Sequence, residues 1–318
     1  MTDTVKITVY SAFGLNVSSE YHLPELPQSK LENHLADIII KQSDLTAIWT
    51  ELAKPNQYFV IKETLVLFQI PEMAIFSIQN GNEILVSPLQ EANEDQIRLY
   101  LLGTCMGAIL MQRKILPLHG SAIAIGRKAY AIVGESGAGK STLASAFLKK
   151  GFSLISDDVI PVTLSKDGLP LVTPAYPQQK LWQESLESFG MDSKGFTPIV
   201  DRETKFAVPI PSQFEIKTLP LAGVFELVKT ENHEIELTPV YKLERFHTLY
   251  RHTYRNFIVS KSGLMEWHFN TSVNIANKIE LFRLERPVTR FTAHDLSSLI
   301  LSTITRGRTY DSETIDFS

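Results

Sequence analysis

Apolar positions along the chain change their rhythm several times. Between residues 58 and 86 they come in short β-rich runs (58–61, 64–68, 75–78 and 84–86), broken by Pro71 and an Asn80-Gly81 turn. Together with a similar run at 4–12, these predict a small N-terminal sheet. From 94 to 112 the spacing of Ile97, Leu101, Met106, Ile109 and Leu110 turns helical. A strand at 121–125 and a Gly126-Arg127-Lys128 turn follow, then a second strand at 129–133. That strand is apolar throughout, as in a sheet covered on both faces. After a glycine-rich stretch, Leu143, Ala144, Phe147 and Leu148 take helical spacing, closed by Lys149, Lys150 and Gly151.

Further along, residues 152–155 predict a strand that ends at Ser156-Asp157-Asp158. Residues 159–164 and 169–172 predict a hairpin, and Leu181, Trp182, Leu186 and Phe189 a helix stopped by Gly190. Strand signals at 206–210 and 222–228 alternate with helical ones at 241–254 and 295–304, the last with Thr292 as N-cap. The tail from Thr309 is acidic and expected to fray. Neither repeats nor low-complexity tracts interrupt this order. The alternation is that of an α/β protein with a smaller β-rich N-terminal domain. The expected division is a β-rich module at 1–94, a main domain at 95–308 and the tail at 309–318.

Composition narrows the class. The 318 residues are 44% hydrophobic and hold one cysteine, Cys105, which excludes an internal disulfide or a Cys-based zinc cage. A cytoplasmic setting is expected, since residues 1–10 lack the pattern of an export signal. The uncharged run 99–112, between Arg98 and Arg113, is too short to span a bilayer, so no membrane role is expected. The net charge of −4 is uneven: residues 1–95 carry 13 acidic and 5 basic side chains, the remainder 22 and 26. Neither part is basic enough for a nucleic-acid partner.

The chemistry lies in Gly134-Glu135-Ser136-Gly137-Ala138-Gly139-Lys140-Ser141, followed by Thr142, which matches G-x-x-x-x-G-K-[ST] at every fixed position. Small residues let successive backbone N–H groups curl around a β-phosphate, and the following helix turns its positive end to the same charge. Lys140 would reach the β and γ oxygens, and the Ser141 hydroxyl would complete the shell of a Mg²⁺ ion, so nucleotide and Mg²⁺ are the expected cofactors. Asp157 and Asp158 could divide two tasks, one holding Mg²⁺ and the other accepting a proton from an attacking hydroxyl. A turn-opening surface pair is the plainer alternative. His119, just before the strand at 121–125, is either a transfer-site residue or a structural histidine. Ser136 falls short of a nucleophile elbow because Ala138 stands at its last position, and no zinc-protease or paired Cys motif occurs. Arg245, His247, Arg251, His252 and Arg255 are expected on a solvated helix face.

Leu118-His119-Gly120, the strand pair, the Gly134–Ser141 stretch and residues 148–158 together resemble the nucleotide core of the HPr kinase/phosphorylase family. Residues 176–177 and 181–182, the 98–113 stretch and the acidic N-terminal module are more similar to the small kinases of ribosomal-peptide biosynthesis, including lasso-peptide tailoring kinases. The resemblance implies a P-loop (HPr kinase-like) nucleotide core at 95–308 and an ATP-dependent serine kinase. Its substrate would be a peptide or small protein, in the lasso case the C-terminal serine of a precursor. It gives Lys140 and Ser141 to phosphate and Mg²⁺, Asp157 to proton removal, Asp158 to metal or substrate, and His119 to the transfer site. The Glu-x-Arg-Gly signature of true HPr kinases is missing. The nearest charged stretch runs from Arg202 to Lys205, either of which could offer a positive charge. Without that signature the acceptor, any reverse reaction and a homo-oligomeric state stay open. The other readings are a P-loop ATPase or nucleotide-dependent switch, and a small-metabolite kinase.

Overall fold

The computed structural model describes residues 7–30, 35–90, 92–199 and 202–313, without the side chains of 202–203 and 306–313. Expectations for residues 4–6 of the first strand and 314–318 of the tail lie outside the described residues, as does the Arg202 side chain. The architecture is mixed α/β with several sheets.

The early β-rich runs form one seven-stranded sheet from β1 (Thr8–Ala12), β2 (Leu15–Ser19), β3 (Ile38–Gln42), β4 (Phe59–Lys62), β5 (Leu65–Ile70), β6 (Ala74–Gln79) and β7 (Glu83–Pro88). Its strand order is β1-β2-β3-β7-β6-β5-β4, with a short helix α1 (Thr46–Leu52) inserted between β3 and β4. The Asn80-Gly81 turn joins β6 to β7 with both residues at positive φ. One face carries a ladder of stacked rings, Phe59 on Phe68 and Phe68 on Phe76, at centroid distances of 5.1 and 4.8 Å.

The helical run 94–112 is continuous but not uniform. It starts as α2 (Glu94–Tyr100), capped by the Asn93 side chain on Asp95 N–H, passes through a π-helical segment (Leu101–Cys105) and ends as α3 (Met106–Gln112). Its buried side packs into a core shared with Phe68, Phe76 and Ile78 of the N-terminal sheet and with Val159, Ile258 and Val259 from later in the chain. Cys105 lies fully buried in that core, where loss of solvation pushes its thiol pKa up.

The second sheet has the order β11-β10-β8-β9-β15-β17-β16. Its strands are β8 (Leu116–Ile125), β9 (Lys128–Val133), β10 (Ser153–Leu164), β11 (Pro170–Val172), β15 (Leu219–Thr230), β16 (Glu236–Pro239) and β17 (Glu280–Pro287). A three-stranded sheet, β12 (Gln178–Trp182), β13 (Thr197–Ile199) and β14 (Arg202–Pro209), flanks it with the short helix α5 (Gln183–Ser188). The remaining helices are α4 (Lys140–Lys149), α6 (Leu243–Arg251), α7 (Phe257–Lys261), α8 (Met265–Ala276) and α9 (Ala293–Glu313). Strand alternation explains the layers: Ile123, Ile125 and Ile132 meet α4 and α9 on one face, while Ala122, Ala124 and Ala131 meet α6 and α8 on the other. This double cover is why β9 is apolar from Ala129 to Val133. Among the described residues no helix is long and apolar enough to cross a membrane.

Several boundaries differ from expectation for identifiable reasons. β8 begins five residues early, so His119 sits inside it, because β10 pairs along its whole length down to Val162 opposite Leu116. β10 does not end at the aspartates; it continues to Leu164, with β8 standing between it and β9. Leu181 and Trp182 are in strand rather than helix, since β12 pairs with β14 and the helix starts only at Gln183. The helix expected at 241–254 stops at Arg251, because the chain then hydrogen-bonds to β8, with the Leu118–Thr253 bridge fixing it there. Helix α9 runs through Glu313, past the expected start of the frayed tail.

Buried His268, at 2% exposure, holds this region together as a neutral ring. Its Nε2 lies 2.7 Å from the Thr253 hydroxyl, which itself donates to the Leu249 carbonyl. Burial pulls its pKa from 6.5 to about 4. The unfolded chain gains this proton near pH 6.5 and the folded chain only near pH 4. The stabilisation is therefore whole above pH 6.5 and is lost as the pH falls toward 4, by about 3 kcal/mol. In urea titrations from pH 7 to 4.5, His268→Gln should flatten this decline relative to wild type; an unchanged slope would contradict the assignment.

Candidate functional site

The site is built where β9 ends. At that level one row of residues crosses five strands: Asp158 on β10, Gly120 on β8, Val133 on β9, Glu226 on β15 and Arg283 on β17. The chain leaves Val133 into the glycine-rich stretch. Gly134 has no room for a side chain, since a Cβ there would lie 2.5 Å from the Leu227 carbonyl oxygen. Gly139, at φ 104°, hands the chain into α4. The Lys140 ammonium, 8% exposed as a residue, donates to the carbonyls of Gly134 (2.8 Å) and Glu135 (3.0 Å). Burial lowers its pKa, and Asp158 and Asp157 act against that shift.

The two aspartates are adjacent on a strand, where regular geometry would send them to opposite faces. Asp158 breaks the alternation with φ at 76°, and both residues line the same cleft of about 930 Å³ with Gly134, Lys140 and Ser141. Their partners separate them. Asp157, 4% exposed, accepts from the hydroxyls of Ser121 (2.5 Å) and Ser141 (2.9 Å) through Oδ1 and from the backbone N–H of Lys180 (2.8 Å) through Oδ2. Asp158 pairs with the Lys180 ammonium at 2.7 Å and has His119 Nδ1 3.5 Å from its other oxygen. Burial opposes ionisation of Asp158, but Lys180 and then His119 outweigh it and hold the carboxyl well below the usual range. Lys180 is correspondingly pushed up against its own burial, chiefly by Asp158.

His119 Nδ1 lies 3.1 Å from the backbone carbonyl of Asp158, an acceptor only, so the proton sits on Nδ1 and Nε2 is bare. Burial lowers its pKa and favours this neutral form. Thr142 bonds Ser185 at 2.8 Å and so ties the first turn of α4 to α5. Glu135, Ser136 and Gly137 line the same cleft, and Ala138 is buried with its carbonyl bound by Arg286 at 2.7 Å. Ser141 and Asp157 present hard oxygen donors to one point, a set that suits Mg²⁺ with the rest of its shell from phosphate and water. Among the described residues no group of three or more His, Cys, Asp or Glu side chains could hold a metal ion by itself.

Several site residues carry no sequence signal. Lys180 was hidden by the helical spacing around it, and Ser121 looks like any strand serine. Of the basic stretch expected on a solvated face, His247, Arg251 and Arg255 are exposed as expected and Arg245 is half-buried, but His252 is buried, and Arg251, His252 and Arg255 line the cleft. Arg251 pairs with Glu135 at 2.9 Å, and His252, 4% exposed, bonds Glu226 at 2.9 Å. Hydrogen bonds from His252 and Arg283 bring Glu226 down to about 2 against its burial. Arg255 reaches the Thr104 hydroxyl of the π-helical segment at 3.3 Å. Tyr254 lies against Gly103 and Gly107 of that segment, and burial raises its pKa to about 12. Lys205 lies in the cleft with its ammonium 5.3 Å over the Trp182 ring.

No protein-family model and no curated protein matches the sequence. Among solved structures, the Hpr(Ser) kinase/phosphatase from Coxiella burnetii is similar over 62% of this chain and 96% of its own, at 15% identity and a TM-score of 0.36.

The Lys180–Asp158 pair is testable by itself. Lys180→Met leaves a mostly buried carboxylate without its cation and should cost about 2 kcal/mol of unfolding free energy, at the low end because a fifth of Asp158 reaches solvent. Adding Asp158→Asn should recover at least half of that loss in urea denaturation. Strict additivity of the two changes would show that the pair is not coupled.

Proposed function

We propose that the protein is an ATP-dependent phosphotransferase that moves a γ-phosphoryl group to a hydroxyl. The observation that carries this reading is the division between the two aspartates beside the glycine-rich loop. One is bonded to Ser141 at the loop, and the other faces the cleft beside Lys180 and His119. Gly134 to Thr142 would cradle the nucleotide phosphates through backbone N–H groups, with Lys140 turning from its loop carbonyls to the β and γ oxygens. Ser141 and Asp157 would hold Mg²⁺, which when bound neutralises charge on those oxygens.

Asp158 then orients the attacking hydroxyl and takes its proton, which exchanges the roles that the family resemblance gives to the pair. A low pKa suits this task, because phosphoryl transfer runs through a loose transition state in which the hydroxyl must be aimed before it is deprotonated. Lys180 keeps the carboxylate ionised and in place. Neutral His119 offers its bare Nε2 as a hydrogen-bond acceptor beside it. As acceptor we favour a serine of a peptide or small protein, in the closest resemblance the C-terminal serine of a lasso precursor. What supports it is the resemblance together with the extent of the cleft, which passes Asp158 and reaches Tyr100 and Phe257.

The test is transfer of labelled γ-phosphate from ATP to a serine-ending peptide. Asp158→Asn should lower kcat at least about a hundredfold with little change in KM for ATP. Asp157→Asn should instead raise the Mg²⁺ concentration for half-maximal rate roughly tenfold or more. A full rate in Asp158→Asn would remove it from the chemistry. Label released only as inorganic phosphate, whatever peptide or small hydroxyl compound is present, would favour a nucleotide-driven switch.

A further inference from the structure

The phosphate loop is continuous with a second feature that the transfer chemistry leaves unused. β17 ends against it, because Arg286 Nε donates to the Ala138 carbonyl at 2.7 Å and its guanidinium lies 3.4 Å from where a Cβ on Gly139 would stand. Arg286 thereby braces the loop, and the chain beyond it starts beside the phosphate site. That chain exposes Val288 and Phe291, each 43% accessible, into the cleft. Phe291 is propped in place by T-shaped contacts with Phe189 (5.5 Å) and His294 (5.9 Å), and Val288 by its N–H on the Thr230 carbonyl.

Among the described residues only one other large apolar side chain that lines this cleft is comparably exposed. It is Trp182, whose ring lies beneath the Lys205 ammonium, two residues along β12 from Lys180 and its partner Asp158. It therefore belongs beside the transfer position. The other two apolar groups lie two and five residues beyond Arg286, in a cleft otherwise lined largely by charged and hydroxyl side chains. A nucleotide with its phosphates on Gly134 to Ser141 has one flat, weakly hydrated part, its base, and such a group is held by an apolar face rather than by charge.

Resting on the nucleotide reading above, we infer that Val288 and Phe291 form the face against which the nucleobase of the bound nucleotide stacks. Arg286 is then the joint that keeps base face and phosphate loop in register. Because the contact is to the π-face, affinity comes from adenosine itself and not only from its phosphates.

ADP and pyrophosphate, each with Mg²⁺, separate the two contributions by calorimetric titration without turnover. Wild type should bind ADP at least about tenfold more tightly than pyrophosphate, and Phe291→Ala should lose about tenfold for ADP while keeping its affinity for pyrophosphate. Trp182→Ala should leave ADP affinity unchanged. If Phe291→Ala weakens both ligands, Phe291→Leu decides, since it keeps most of the apolar bulk while removing the ring: pyrophosphate affinity as in wild type with weakened ADP supports the face. Equal binding of ADP and pyrophosphate by wild type overturns it. So does an unchanged preference in the Phe291 variants, or a preference lost in Trp182→Ala. Absence of pyrophosphate binding would sink the phosphate-loop reading itself and the base face with it.

Discussion

The close approach of β9 and β15 governs everything built at the cleft. Where β9 ends, the Leu227 carbonyl of β15 leaves Gly134 no space for a Cβ, so the chain must turn there as glycine and swing away from the sheet. The same parallel pairing sets Glu226 opposite Val133, and β17 follows in step with Arg283 and Arg286. One spacing between strands thus decides where the loop curls, which residues flank it and what braces it from behind. A shift in this register by one residue would send Glu226 to the opposite face and break its bonds to His252 and Arg283.

Against that frame the site tolerates local strain. Asp158 at φ 76° gives up regular strand geometry, and the result is two neighbouring carboxylates in one cleft with separate partners. Arg255, also at positive φ, and the π-helical turn at Leu101–Cys105 meet on the same side, joined through Thr104. Irregular backbone from three distant parts of the chain converges on one place. Packing holds two of these segments in place, because Leu101–Cys105 is buried throughout and Asp158 lies between buried Asp157 and Val159.

The N-terminal sheet is tied into this arrangement through the 94–112 helical run. That run buries its apolar side against Phe68, Phe76 and Ile78, while Gly103 and Gly107 on it receive the Tyr254 ring. Tyr254 in turn lies 5.5 Å from His119. The β-rich module and the cleft are therefore linked by direct packing, through this helical run and through Phe59 of β4 on the cleft residue Phe257, 5.1 Å apart.

Residue order alone determined the glycine-rich stretch, the β-rich start, the helix at 94–112 and the doubly covered β9, because each depends on neighbours a few positions apart. It also pointed to Lys140, Ser141, Asp157, Asp158 and His119, which the fold brings into one cleft. It did not reveal that β10 runs past the aspartates, that Lys180 is the cation of Asp158, or that residues 251–255 line the cleft. Those partnerships join residues 22 positions apart for Lys180 and Asp158, 116 for Arg251 and Glu135, and 151 for Arg255 and Thr104. Local periodicity carries no information over such separations. Only the packing of strand on strand selected which of many lysines and arginines would face the two carboxylates, the loop and the cleft.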